Sequence, residues 1–130
     1  MATITLTTGP VLNGSETGVR ASIVRVLISN DDTTPVTYEL EVFSIPDTAK
    51  NTPKIPFVHQ LFEVGALTST NVNIPIFQIP IYEVQLQVTS NHPEDTITTV
   101  VGVDAEGKIV DSLQIFNSDL SQIRELTPVP

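Results

Sequence analysis

Residues 22–45, SIVRVLISNDDTTPVTYELEVFSI, decide the fold. They read as two long strands, at 22–29 and 36–45, joined by a polar turn at 30–35. In the second strand Val36, Tyr38, Leu40 and Val42 fall on one face, and Thr37, Glu39 and Glu41 on the other. Successive side chains of a strand point to opposite faces, so this alternation predicts one buried and one wet face. The first strand carries Val24, Val26 and Ile28 against Ile23, Arg25 and Leu27. Both of its faces are partly apolar, as expected of a strand covered on two sides. Asn30-Asp31-Asp32 is a run of turn formers. Without the spacing of a calcium loop or a fixed distal Glu, it is read as a turn rather than a cation site.

The same pattern extends along the chain. Ile81–Thr89 alternates most cleanly, with Tyr82, Val84, Leu86 and Val88 inward and Glu83, Gln85 and Gln87 outward. Residues 95–104 and 108–116 predict a hairpin around Asp104-Ala105-Glu106-Gly107, with Gly107 where a short loop needs positive φ. Strands are also expected at 57–64 and 70–77. Pro75 and Pro80 cannot donate ladder hydrogen bonds, which assigns the latter strand to a sheet edge or a bulge. Pro46–Pro56 is an exposed loop. Asn117-Ser118-Asp119 starts one or two helical turns, with Leu120 and Ile123 on one side, and an extended tail follows. About seven body strands, punctuated by turns every 8–12 residues or so, make an all-β antiparallel sandwich, immunoglobulin-like or jelly-roll.

Ahead of that body stands Ala2-Thr3-Ile4-Thr5-Leu6-Thr7-Thr8. Ile4 and Leu6 point one way, and Thr3, Thr5 and Thr7 the other. Gly9-Pro10 stops the segment, and a Gly/Asn/Ser-rich stretch follows. The organisation expected is a β-arm at 1–10, a hinge at 11–18 and a single sandwich at 19–130. Such an arm can lie on its own domain as an ordinary first strand, or add to the sheet of a neighbouring molecule. Thr3, Ile4, Thr5, Leu6 and Thr7 are then the subunit-interface residues. Burying Ile4 and Leu6 contributes roughly 3–5 kcal/mol at about 25 cal/mol per Å², before ordering costs.

Composition narrows the chemistry. With 130 residues and 40% apolar content, the chain is long enough to bury a core without metal or disulfide. The net charge of -9, with six scattered basic residues, argues against nucleic acid and anionic membranes as partners. The absence of cysteine removes disulfides, thiolate metal sites and thiol nucleophiles. No signal-peptide pattern and no membrane-length apolar run are visible. The two histidines, His59 in a strand and His92 beside Pro93, have no second ligand at a metal-binding spacing. Phosphate loops, dinucleotide fingerprints and nucleophile elbows are missing. Glu39, Glu41 and Glu83 lie on polar strand faces and are read as solvated. No catalytic residue, cofactor or metal is therefore expected. A sugar platform is disfavoured, because Trp is absent and Tyr38 and Tyr82 fall on apolar faces.

Three segments carry a resemblance: MATITLTTGP at 1–10, YEVQLQVTS at 82–90 and VVGVDAEGKIV at 100–110. They resemble small Cys-free β-proteins of the surface of endospore-forming bacteria, a group that includes subunits of thin endospore-appendage fibres. In such fibres an N-terminal connector adds a strand to the adjacent subunit, and residues 2–8 match that connector. The better-known appendage subunits cross-link the connector through cysteines, which this chain lacks. The resemblance implies a homopolymer at a spore or cell surface, reached without a signal peptide because the mother cell lyses. Such a homopolymer can meet other surface proteins; the alternatives are a cytoplasmic location and a sandwich that serves as an adhesion or ligand-binding module at a cell or spore surface.

Overall fold

A computed structural model of the chain describes residues 1–14, 20–46 and 51–128. Residues 15–19 of the expected hinge, 47–50 of the proline-rich loop and 129–130 of the tail lie outside the described residues. Among the described residues ten strands form: β1 (Ala2–Thr7), β2 (Val11–Leu12), β3 (Ile23–Asn30), β4 (Val36–Ser44), β5 (Ile55–Val64), β6 (Ser69–Pro75), β7 (Ile81–Ser90), β8 (Thr96–Val103), β9 (Ile109–Ile115) and β10 (Ser121–Ile123). They make two antiparallel sheets packed face to face as a β-sandwich. The first sheet runs β10-β1-β7-β4-β5, with β2 also on β7; the second runs β6-β3-β8-β9. Among the described residues no helix is long and apolar enough to cross a membrane.

The inward faces are those that alternation picks out. Val36, Tyr38, Leu40 and Val42 of β4 meet Tyr82, Val84, Leu86 and Val88 of β7, and all pack against Val24, Val26 and Ile28 of β3. Tyr38 stacks on its cross-strand neighbour Phe62, ring centroids 5.6 Å apart and nearly parallel. Its hydroxyl meets Thr98 Oγ1 across the core at 3.1 Å. Burial pushes the Tyr38 phenol up to about 12. Tyr82 is pushed to about 12 for the same reason, but its hydroxyl is buried with no hydrogen-bond partner among the described residues.

The hairpin at 96–115 turns on Gly107 at φ +84, with Asp104 Oδ1 accepting the N–H groups of Glu106 and Lys108. Gly102, beside the register shift of that hairpin, admits no side chain. A Cβ there would stand 2.9 Å from the Ala21 Cβ and 3.0 Å from Leu113. β6, the strand containing Pro75, is a sheet edge. Asn30 serves the turn: its amide donates to the Thr34 and Gly65 carbonyls, and its Oδ1 accepts the Asp32 N–H.

Four local expectations change. β3 is not covered on both sides, since Leu27 is exposed on the outer face. Gly9-Pro10 ends β1 as expected, but does not release the chain from β7. Gly9 takes φ +64, Thr8 N–H still bonds Val84 O, and the ladder resumes where Val11 meets Tyr82. Residues 11–14, expected at the start of a hinge, hold a buried anchor. The Asn13 amide donates to the carbonyls of Ala21 at 3.1 Å and Ile79 at 3.0 Å, while its Oδ1 accepts the Ala21 N–H at 2.8 Å. The helical turn is a single one at Asn117–Asp119; Leu120 and Ile123 then follow an extended course, and Ser121–Ile123 joins a sheet.

Candidate functional site

Each residue expected at a subunit interface, Thr3 to Thr7, is held within its own chain. β1 lies between β7 and β10, antiparallel to both. Thr3, Ile4, Thr5, Leu6 and Thr7 stand opposite Thr89, Val88, Gln87, Leu86 and Gln85. On the other side Thr5, Leu6 and Thr7 face Ile123, Gln122 and Ser121. Ile4 and Leu6 pack against the core from a half-buried position. The threonines of the opposite face do not all reach water: Thr3 is exposed, with its hydroxyl 3.0 Å from that of Thr89, but Thr5 and Thr7 are buried.

Thr7 opens a polar network on the outer face of the first sheet. Its hydroxyl donates to Glu83 Oε2 at 2.5 Å, and Gln85 Nε2 donates to the same oxygen at 3.0 Å. Lys54 Nζ reaches Glu83 Oε1 at 2.7 Å and lies over the Phe43 ring. The Gln85 amide is fully engaged: it also donates to Thr127 Oγ1 and accepts the Thr127 N–H. The C-terminal segment is thereby fastened to β7. Burial by itself would raise Glu83, but hydrogen bonds from Gln85, Lys54 and Thr7, with the Lys54 charge, outweigh it and hold the carboxyl below its usual value.

Further along the same face, β4 and β5 bring Glu39, Glu41 and His59 together. Glu41 stands directly opposite His59 in the ladder. His59 Nε2 lies 2.6 Å from Glu39 Oε2. Glu41 is only 3% exposed, and its Oε2 is buried with no hydrogen-bond partner among the described residues. Burial raises the Glu41 carboxyl; the His59 charge works against that and Glu39 adds to it. Glu41 and Glu83 are therefore not the solvated carboxylates that alternation predicts. Alternation tells which face a side chain takes. It does not tell what lies over that face, and the three-residue β10 and the segment up to Thr127 carry no strand pattern that would reveal it.

His92 and the acidic turn also meet. Asp32 is buried and accepts from Thr33 N–H at 2.7 Å and Thr34 Oγ1 at 2.9 Å, and its Oδ2 lies 3.3 Å from His92 Nδ1. The Thr34 hydroxyl does most to hold Asp32 below the usual carboxylate range, against burial, with Thr33 and His92 helping. This is a turn closed by its own side chains. The outer face of the second sheet has a shallow groove between Leu27, Ser29, Ile97 and Asn71, with no titratable lining.

Compared with known protein families, with curated proteins and with solved structures, the chain has no match.

Proposed function

We propose that the chain is a structural subunit, non-catalytic and cofactor-free, that builds a surface fibre by passing its N-terminal strand to a neighbouring copy. The observation that supports this is the slot between β7 and β10. One short strand fills it, with main-chain hydrogen bonds on both sides and Ile4 and Leu6 on the core. The same residues of a second copy make the same contacts, so the slot can close from within or from a neighbour. A strand passed head to tail gives an open filament unless the rotation closes a ring. The segments at 1–10, 82–90 and 100–110 that resemble spore-surface proteins support a home on a spore or cell surface, and the charge of -9 speaks against nucleic acid as a partner.

One observation favours a second reading. β1 already completes its own sheet, and Asn13 anchors the chain directly after it. In this reading a molecule that keeps the closure is an adhesion or ligand-binding module, monomeric or a closed oligomer, at a cell or spore surface or in the cytoplasm.

Electron microscopy and light scattering of the purified protein separate the two. Filaments that vanish when residues 1–9 are deleted support the subunit. A monodisperse monomer at high concentration supports the module.

A further inference from the structure

We propose that Glu39, Glu41 and His59 form a binding site for one divalent transition-metal ion of the zinc class, on the outer face of the first sheet. Each residue offers one ligand atom, and these atoms lie within 4.8 Å of one another. Ligands around one zinc ion stand roughly 3–3.5 Å apart, with metal–ligand bonds of about 2.0–2.2 Å. Small side-chain rotations therefore close the set, and the two rigid, paired strands β4 and β5 need not move.

The second observation is the vacancy in hydrogen bonding at Glu41. Its Oε2 is buried and meets no donor among the described residues. The neighbour best placed to supply one is Gln85, directly opposite on β7. Both N–H bonds of the Gln85 amide already go to Glu83 and Thr127. His59 is turned toward Glu39 instead. A buried acid without a partner is costly, and a second carboxylate two residues away on the same face adds repulsion. A cation set between the two carboxylates removes both penalties.

The donor set selects the metal. Calcium and magnesium take oxygen ligands almost exclusively. One imidazole nitrogen with two carboxylate oxygens suits zinc and its first-row neighbours. Three protein ligands leave a coordination position open, and the half-exposed His59 side of the site faces solvent. The other acidic cluster, Asp32, His92 and Asp95, is the internal control. The Asp32 oxygens there are committed to Thr33, Thr34 and His92.

The test is calorimetric titration of untagged protein with zinc chloride, run beside His59→Ala, Glu41→Gln and His92→Ala. His59 is exposed and Glu41→Gln is isosteric, so both variants keep the fold, which circular dichroism checks. The expected result is saturable binding of one equivalent, unchanged in His92→Ala and at least tenfold weaker in the other two. Zinc raises the melting temperature of the wild type and His92→Ala alone, and calcium gives no saturable signal. Absence of saturable zinc binding by the wild type, equal binding by His59→Ala, or loss of binding in His92→Ala overturns the proposal.

Discussion

Glu41 and Glu83 share the outer face of the first sheet, each 3% exposed, and their surroundings are opposite. Glu83 has Thr7, Gln85 and Lys54; Glu41 Oε2 has no hydrogen-bond partner among the described residues. Replacing one buried carboxylate by its neutral isostere is therefore expected to destabilise the protein, and replacing the other to stabilise it. In metal-free buffer Glu83→Gln loses roughly 2 kcal/mol, because charge-assisted bonds weaken and Lys54 is left facing an amide. Glu41→Gln gains about 1 kcal/mol, because a buried charge disappears. Urea denaturation of the two variants gives both signs in one experiment.

The Glu83 environment also sets a pH dependence. Its folded pKa lies below the ordinary value of 4.5, so across the window between the two values the unfolded chain binds more protons. The stabilisation is complete above 4.5 and is lost as pH falls through the folded pKa. Asp32, lowered from 3.8, acts in the same direction at slightly lower pH. Unfolding free energy measured from pH 7 down to pH 2 is expected to fall on the acid side, and less steeply in Glu83→Gln than in the wild type.

Gly102 is a packing requirement. With Ala21 and Leu113 at 2.9 and 3.0 Å from the place of a Cβ, Gly102→Ala must push two core neighbours apart. Overpacking of this kind costs roughly 1–3 kcal/mol. A drop in the denaturation midpoint at unchanged slope is expected, since the unfolded state is little altered.

The two buried tyrosines differ as the two glutamates do. Tyr38→Phe gives up the bond to Thr98 and is expected to cost about 1 kcal/mol. Tyr82→Phe removes a hydroxyl with no hydrogen-bond partner among the described residues and is expected to be neutral or stabilising by a few tenths of a kcal/mol. Differential scanning calorimetry resolves the contrast as melting temperatures that move apart.

Much of this architecture is legible in the residues. Period-two alternation at Val36–Val42 and Tyr82–Val88 marks the two strands that build the centre of the first sheet, and Gly107 marks the hairpin. Pairing between strands far apart in sequence is not legible in this way. Alternation leaves open whether β1 pairs with β7 of its own chain, and the three residues of β10 give no signal at all. Asn13 reads as a turn former in sequence. Only the convergence of Ala21 and Ile79 upon it makes it an anchor. The Glu39–Glu41–His59 cluster escapes sequence spacing for the same reason, because a strand register, not a local motif, sets His59 opposite Glu41.

Assembly turns on whose β7 receives β1. Thr3 and Thr89 face each other with hydroxyl oxygens 3.0 Å apart, and the chain has no cysteine of its own. In Thr3→Cys/Thr89→Cys a disulfide across that pair ties β1 to the β7 that receives it, and the single variants Thr3→Cys and Thr89→Cys, which can at most dimerise, reveal any like-with-like cross-link. Oxidation of concentrated protein followed by non-reducing electrophoresis reads the partner directly. A ladder of covalent multimers, collapsing to one band on reduction, is the predicted result. Complete cross-linking that leaves only monomer would contradict strand exchange and leave a self-closed β-sandwich.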